Sequence, residues 1–254
     1  MEMISLKSTR EIELMRKAGR ITAAARKLAG ELVVPGKTTL EIDKAVRKFI
    51  ESQGAKPSFL GYGGFPGSAC ISVNEVVING IPGKRVLKDG DIVSIDVGAF
   101  IDGFHGDCAA TFPCGTVSPE AERLIAVTKQ SFWEGMKFAK PGQRVSDISH
   151  AVQKYVESNG YSVVRDFVGH GIGTNLHEAP QVPNYGPAGH GPRLVPGMTL
   201  AVEPMVCAGD WRVKVLDDKW TTVSADHSLT AHYENTILIT EDGFEILTDP
   251  GDAI

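Results

Sequence analysis

The spacing of apolar residues is the same in two stretches of the chain, residues 35–54 and residues 141–160. In each stretch apolar residues recur at i, i+3, i+4, i+7 and i+8, which places them on one face of a helix. These apolar positions are Ile42, Ala45, Val46, Phe49 and Ile50 in the first stretch and Ile148, Ala151, Val152, Tyr155 and Val156 in the second. A proline-glycine turn precedes each predicted helix, and Gly54 or Gly160 is predicted to end it. Nine of the twenty aligned positions are identical, which indicates an internal repeat.

A strand that ends in a carboxylate is also repeated, and its two copies are separated along the chain by nearly the same number of residues as the two copies of the helix. Residues 90–96 and 197–203 each consist of a glycine, an apolar run and an acid, which is Asp96 in the first copy and Glu203 in the second. The helix and the strand therefore belong to one duplicated unit, and the sequence predicts two related halves at about 8–112 and 118–240. No linker rich in proline or serine separates the halves near residue 115, so they are predicted to form a single domain over residues 1–254.

Two further helices are predicted, one ahead of each copy of the repeat. Ser8 and Glu11 form a capping box for a helix that extends to about residue 28. Ser118 and Pro119 supply the N-cap and the first helical position of a helix that extends to about residue 139. The predicted strands occur in clusters and do not alternate with helices, which is typical of an α+β protein. We therefore expect two pseudo-symmetric halves with an antiparallel sheet covered by helices.

Residues 90–112 predict a β-hairpin that turns at Asp102 and Gly103, the dipeptide most typical of a two-residue turn. With that turn, Gly98 lies opposite Asp107, and Asp96 points to the same face of the hairpin. Asp96 and Asp107 are then diagonal neighbours about 7–8 Å apart at the backbone. Two carboxylates at that separation repel each other unless a positive group lies between them.

Charge and cysteine content narrow the range of functions. The net charge of −5 provides no basic surface for nucleic acid, and no nucleic-acid partner is expected. No run of about 18 apolar residues is present, so no membrane span is expected. The four cysteines form no C-x-x-C pair, and the N-terminal residues lack the apolar core of a signal peptide. We expect a reduced, cytoplasmic protein.

Several acids lie in apolar strands without basic neighbours. Asp96, Glu203 and Glu234 each adjoin a run of apolar residues that contains no lysine or arginine. An ion pair is the usual partner of a single buried acid, but a group of inward carboxylates without cations indicates a metal centre. His170 lies between Gly169 and Gly171, where the backbone can approach a site closely. Carboxylates with one imidazole suit a pair of divalent ions such as Mn, Fe, Co or Zn.

These residues match a known family. Asp96, Asp107, His170, Glu203 and Glu234, together with the segment FVGHGIGTNLHEAPQVPNY at 167–185, resemble bacterial type I methionine aminopeptidases, which have the pita-bread fold. The resemblance covers essentially the whole chain and implies a single catalytic domain with two divalent metal ions. By that resemblance Asp96 would chelate one ion, His170 and Glu203 would hold the other, and Asp107 and Glu234 would bridge them.

The same resemblance implies a substrate and catalytic roles. The expected activity is removal of the initiator methionine from nascent polypeptides whose second residue is small, by a monomer that works near the ribosome. Glu203 would carry the proton to the leaving amine, and His177 would hydrogen-bond the carbonyl oxygen as it gains charge. The pocket for the methionine side chain would be lined by Phe59, Tyr62, Phe65, Cys70, Leu176 and Trp220, whose alternative role is ordinary core packing.

One catalytic position departs from the family pattern, because Asn79 stands where a histidine is expected. An asparagine amide can donate a hydrogen bond to the substrate but cannot carry a proton, so catalysis is expected to be weaker or to depend more on His177 and Glu203. The alternative is a turn residue ahead of Gly80. Two other functions stay open at this point: a weakly active or inactive pita-bread protein that binds peptides, and an Xaa-Pro-type aminopeptidase.

Overall fold

The structure is a computed structural model that describes residues 3–249. The ends of the predicted domain, residues 1 and 254, lie outside that range. Within it are four α-helices: α1 (Thr9–Glu31), α2 (Thr39–Ser52), α3 (Pro119–Met136) and α4 (Val145–Ser158). The strands of the described part are β1 (Lys56–Pro57), β2 (Ala69–Val73), β3 (Val76–Ile78), β4 (Ile92–Ile101), β5 (Phe104–Pro113), β6 (Ser162–Val163), β7 (Gly169–Gly171), β8 (Glu178–Val182), β9 (Thr199–Val202), β10 (Met205–Cys207), β11 (Val213–Val215), β12 (Thr222–Ser224), β13 (Thr230–His232), β14 (Asn235–Ile239) and β15 (Phe244–Ile246).

The four predicted helices are all present, and a side-chain oxygen caps the N-terminus of α1, α2 and α3. The capping box of α1 pairs Ser8 with Glu11, and Ser118 caps α3 ahead of its proline. α1 continues three residues beyond the predicted residue 28. α3 ends at Met136, before the predicted residue 139, because Ala139 N–H bonds to the Met136 carbonyl in a tighter i→i+3 turn. No helix of residues 3–249 is long and apolar enough to cross a membrane.

Each half places a helix pair against antiparallel strands. β4 pairs with β1, β2 and β5 in a four-stranded sheet, and a five-stranded sheet has the order β15-β14-β9-β7-β8. Two three-stranded sheets, β13-β10-β6 and β11-β12-β3, complete the strands of the described residues. The predicted α+β class with antiparallel sheets is confirmed. The assignment of one domain with an internal duplication stays a prediction.

The β4–β5 hairpin has the predicted register. Gly98 pairs with Asp107, and Ile101 with Phe104, across a two-residue turn. At that turn Asp102 and Gly103 have φ values of 52° and 89°, the left-handed conformations that a type I′ turn requires. Asp96 and Asp107 are therefore diagonal neighbours on one face, as expected.

The two halves are joined at the sheets. Ala109 in β5 and Glu234 exchange backbone hydrogen bonds of 3.3 and 2.9 Å. Next to them, the Thr236 hydroxyl accepts from the Asp107 N–H at 3.1 Å and donates to its carbonyl at 2.8 Å. These bonds place acids from both halves side by side. On the outer face α1 lies directly on β5, because Gly106 has no Cβ, and one would come within 2.8 Å of the Thr22 hydroxyl.

Candidate metal centre

A single cavity of about 200 Å³ brings together all the residues predicted to form the site. The predicted metal ligands and catalytic residues on its wall are Asp96, Asp107, His170, Glu203, Glu234, His177 and Asn79. The predicted pocket residues on its wall are Phe59, Tyr62, Phe65, Cys70, Leu176 and Trp220. Four lining residues were not predicted from the sequence: Ile78, Phe167, Val168 and His232.

Four strands supply the carboxylates at the floor of the cavity. Asp96 and Asp107 project from β4 and β5, Glu203 follows β9, and Glu234 precedes β14. Asp107 and Glu234 are almost fully buried, with 4% and 2% of their surfaces exposed. The sheets therefore hold four acids against the same small volume.

His170 faces these acids from β7. Its Nε2 lies 3.6 Å from Glu203 Oε1 and 3.9 Å from Asp107 Oδ2. Its Nδ1 lies 2.9 Å from the Gly171 carbonyl oxygen, which can only accept, so Nδ1 carries the proton and Nε2 presents a lone pair to the acids. The flanking glycines are required here, because a Cβ on Gly169 would overlap the Ala201 carbonyl and one on Gly171 would overlap that of Ala179.

His232 adds a second imidazole that the sequence reasoning did not select. Its Nε2 lies 3.8 Å from Glu203 Oε2 and 3.8 Å from Glu234 Oε2. The signal for it was available, because residues 232 and 234 lie two apart in an extended segment and so point to the same face. The donor atoms form two groups that share Glu234, one with Asp96 and His232 and the other with Asp107 and His170.

No lysine or arginine of the described residues lies within 4.0 Å of these carboxylates, and the nitrogen-bearing side chains that approach them that closely are the imidazoles of His170 and His232. The nearby Arg26 guanidinium instead donates to the backbone carbonyl of Glu234 at 2.9 Å. One oxygen each of Asp96, Asp107 and Glu234 is buried without a hydrogen-bond partner.

Burial controls the ionisation of this cluster. It raises the pKa of Asp96 to about 7 and those of Asp107, Glu203 and Glu234 well above their ordinary values, with the charge of neighbouring carboxylates adding to the effect in these three. Burial also lowers the pKa of His170 and of His232 to about 3, so both rings are neutral at pH 7. Buried acids with unpaired oxygens beside neutral imidazoles fit divalent metal ions, whose charge would compensate the acids.

His177 stands at the mouth of the cavity, 4.2 Å from the His170 ring between centroids. Its Nδ1 lies 2.7 Å from the Tyr62 hydroxyl, and partial burial lowers its pKa. When the hydroxyl donates this bond, the remaining ring proton is on Nε2. Tyr62 was predicted as a pocket residue, and the structure engages its hydroxyl with His177 as well.

Apolar side chains form the wall beside the acids. Phe65 and Trp220 meet edge to face with centroids 5.2 Å apart, and Phe59, Cys70 and Leu176 are at most 8% exposed. These five residues belong to one apolar cluster, so packing and lining of the cavity are combined in the same side chains.

Asn79 lines the cavity and is also strained at the backbone. Its φ of 58° is in the left-handed region, where asparagine is among the residues best tolerated. The Cys70 thiol donates to its Oδ1 at 3.8 Å. Both roles considered for this residue, a turn and a place in the site, are therefore compatible with its position. Cys108, next to Asp107, is fully buried, and burial raises its pKa to about 12, which favours an inert thiol.

Comparison with known proteins agrees with the family that the sequence resembles. The sequence model of metallopeptidase family M24 matches residues 13–241. Methionine aminopeptidase 1 of Bacillus subtilis is 55% identical over 97% of this chain and 99% of its own length, and the methionine aminopeptidase of Clostridium perfringens is 57% identical over the same shares. The crystal structure of the Thermotoga maritima methionine aminopeptidase superimposes with a TM-score of 0.96 at 49% identity, covering 97% of this chain and 100% of that one.

These likenesses confirm the predicted pita-bread fold and the predicted family, and they favour neither a peptide-binding protein nor an Xaa-Pro-type aminopeptidase. The matches span almost the full length of the relatives as well as of this chain. From the sequence model and these relatives, the chain belongs to metallopeptidase family M24, within its group of bacterial methionine aminopeptidases.

Proposed function

We propose that this chain is an aminopeptidase that removes the initiator methionine from newly made polypeptides whose second residue is small, at a centre of two divalent metal ions. The observation that supports this most strongly is the placement of four acids at the end of an apolar pocket, two of them almost fully buried, with no lysine or arginine of residues 3–249 within 4.0 Å. Such a cluster is costly in a folded protein unless it holds cations.

The ions would be held by Asp96, Asp107, His170, Glu203 and Glu234, with Mn, Fe, Co or Zn as the candidates. When bound, divalent ions polarise the peptide carbonyl and lower the pKa of water, so that hydrolysis proceeds at neutral pH. The grouping of donor atoms supports two ions, because Glu234 is shared by a group with Asp96 and a group with Asp107 and His170.

Glu203 is proposed to accept the proton of the attacking water and to pass it to the leaving amine. Its carboxylate borders the cavity, where both of its oxygens lie within 3.8 Å of an imidazole. Proton transfer by a carboxylate requires access to the reacting groups, and Glu203 lines the cavity that the substrate is proposed to enter.

His177 is proposed to donate its Nε2 proton to the carbonyl oxygen as negative charge develops there. The Tyr62 hydroxyl supports this role, because its bond to Nδ1 selects the tautomer with the proton on Nε2. Asn79 would donate its amide N–H to the substrate backbone without taking part in proton transfer.

The methionine side chain is proposed to occupy the apolar part of the cavity. A thioether is attracted to the edges of aromatic rings, and Phe59, Phe65 and Trp220 provide such edges. The Cys70 thiol adds a small polarisable surface at the same wall.

The place of action follows from the proposed substrate. Nascent polypeptides leave the ribosome in the cytoplasm, so we infer that the enzyme acts there, as a monomer with the ribosome as its neighbour. The single cavity already contains every residue that the proposal uses, so no second copy is needed to complete the site.

The test is release of methionine from defined peptides. Purified protein with Mn(II), Fe(II) or Co(II) is expected to cleave Met-Ala peptides and to leave Met-Leu and Ala-Pro peptides intact, with activity lost to a chelator and restored by metal. Asp107→Asn should abolish turnover. His105→Gln, which changes a half-buried histidine of the same hairpin, serves as the matched control. Binding of Met-Ala without turnover under every metal would instead support a peptide-binding protein and refute the proposal.

A further inference from the structure

His232 is a buried imidazole with an unused ligand atom. The residue is 2% exposed, its ring lines the central cavity, and its Nε2 has no hydrogen-bond partner. A buried polar atom without a partner costs free energy, about 1–3 kcal/mol for a typical group. An interaction that is completed only when something binds in the cavity would remove that cost.

The distances around Nε2 are short enough for ligands that share an ion. The atom lies 3.8 Å from Glu203 Oε2 and 3.8 Å from Glu234 Oε2, too far for a hydrogen bond to either oxygen. Two donors that are each about 2.1 Å from one metal ion lie about 3.0–3.4 Å apart at octahedral or tetrahedral angles and at most about 4.2 Å apart. The observed separations fall inside that limit and leave space for an ion between the atoms.

The backbone that carries the ring is held by hydrogen bonds. The Thr111 hydroxyl accepts from the His232 N–H at 2.9 Å and donates to the His232 carbonyl at 2.9 Å, and β13 pairs His232 with Met205. The Ser94 and Thr111 hydroxyls are 2.8 Å apart, which extends the network into β4. The backbone of His232 is therefore held in place relative to β4 and β5, which carry Asp96 and Asp107.

We propose that His232 is a further metal ligand, on the Asp96 side of the centre, so that each of the two proposed ions has one imidazole. The donor atoms divide accordingly, since Asp96, His232 and Glu234 form one group within 4.8 Å and Asp107, His170 and Glu234 form the other. This inference rests on the two-metal centre proposed above. His232 would add a nitrogen donor to the ion on the Asp96 side, which would otherwise have carboxylates alone.

The added nitrogen has a consequence for metal preference. Imidazole favours Fe, Co and Zn, whereas oxygen ligands alone suit Mn and Mg. The ion on the Asp96 side is therefore expected to bind Co(II) more tightly, relative to Mn(II), than the same position without an imidazole. His232→Gln removes the nitrogen donor while keeping a polar side chain of similar length.

The experiment is nuclear magnetic resonance of the Co(II)-loaded protein with ¹⁵N-labelled histidine. A Co(II)-bound imidazole retains one ring N–H with a strongly shifted signal, so the wild type should show one such signal for His170 and one for His232. His232→Gln should keep the first signal and lose the second, and calorimetry should show Co(II) affinity at one position falling at least about tenfold. Affinity for Mn(II) should fall less. His105→Gln should leave both signals in place.

The outcomes separate this inference from the proposed function. One shifted imidazole signal in the wild type, with two Co(II) ions bound, would overturn the role of His232 and leave the two-metal centre intact. Persistence of both signals in His232→Gln would also overturn the role of His232 and leave the two-metal centre intact, because another histidine would then be the second ligand. A wild-type protein that binds no metal would overturn both proposals. The wild-type signal count does not depend on how the variant folds, and circular dichroism of the metal-free variant checks its fold.

Discussion

The ion pair between Lys7 and Glu178 ties the start of the chain to the segment that carries His177. Lys7 Nζ lies 2.6 Å from Glu178 Oε2, and the two side chains are only 3% and 11% exposed. The Lys7 backbone N–H also donates to the Gly197 carbonyl at 2.8 Å. We predict that removing either member of this pair destabilises the protein and displaces the segment next to the candidate site.

The magnitude follows from what each substitution leaves behind. Removing one partner of a buried pair costs about 3–5 kcal/mol, because the other charge stays buried. After Lys7→Met, the Glu178 carboxylate keeps the Asn175 N–H at 3.1 Å and the Thr174 hydroxyl at 3.4 Å, so the lower end applies. After Glu178→Gln, the Lys7 ammonium keeps only the new amide oxygen and the Ser5 carbonyl at 3.5 Å, so a loss nearer the upper end is expected.

The assay is urea unfolding of the metal-free protein, supported by thermal melts, in which 3 kcal/mol corresponds to about 6–12 °C for a chain of this size. The double variant Lys7→Met, Glu178→Leu should recover most of the loss, because an apolar pair avoids the buried charge. Lys17→Met is the matched control. The N–O distance of the Lys17–Asp102 pair is similar, at 2.7 Å, but both side chains are about half exposed. Loss of this pair should lower the free energy of unfolding by less than about 1 kcal/mol. A loss of less than 1 kcal/mol in both single variants of the buried pair would refute the reasoning.

Three other predictions concern the candidate site. Tyr62→Phe removes the hydroxyl that lies 2.7 Å from His177 Nδ1 but keeps the ring. Loss of about 1 kcal/mol of transition-state stabilisation should lower kcat about fivefold with little change in KM. An unchanged kcat would show that Tyr62 does not set the tautomer of His177. Asn79→His should raise turnover of Met-Ala peptides, because an imidazole can carry a proton and tolerates the left-handed backbone there; equal or lower activity would show that asparagine is no handicap. Between pH 7 and 8 an ordinary imidazole is mostly neutral, whether the protein is folded or unfolded. The pKa of Asp96, raised to about 7, and the raised pKa values of Asp107, Glu203 and Glu234 mean that the metal-free fold loses protons over this range that the unfolded carboxylates have already lost. Metal-free stability should therefore fall over that range, whereas metal displaces the same protons, so the Tm difference between metal-loaded and metal-free protein should widen; a constant difference would contradict the assignment.

Local features of the chain were predictable where a short-range rule dominates. The Asp102–Gly103 turn fixed the hairpin register, and with it the pairing of Gly98 with Asp107, because both residues adopt the left-handed conformations of a two-residue type I′ turn. The capping residues Ser8 and Ser118 likewise marked the helix starts. The end of α3 was less predictable, because an i→i+3 turn competes with the last α-helical turn at little cost.

The roles of individual site residues were harder to predict, because they depend on contacts between distant segments. The position of His232 on the same face as Glu234 was readable from the sequence, but its proximity to Glu203 arises only from the pairing of β13 with β10. Tyr62 was assigned to the pocket alone, since nothing in its local sequence indicates that His177, 115 residues later, accepts its hydroxyl. Ile78, Phe167 and Val168 read as ordinary apolar residues until the cavity is formed.

The sequence by itself determined the helices, the hairpin, the α+β class and the acids that end apolar strands, because periodicity, caps and turns act over a few residues. The tertiary structure decided which atoms meet. The hydrogen bonds between Ala109 and Glu234 join the halves, and they place Asp107 and Glu234 in the same buried volume as both imidazoles. A repeat can place one acid in each half, but only packing at low dielectric brings them close enough for their charges to require a common cation.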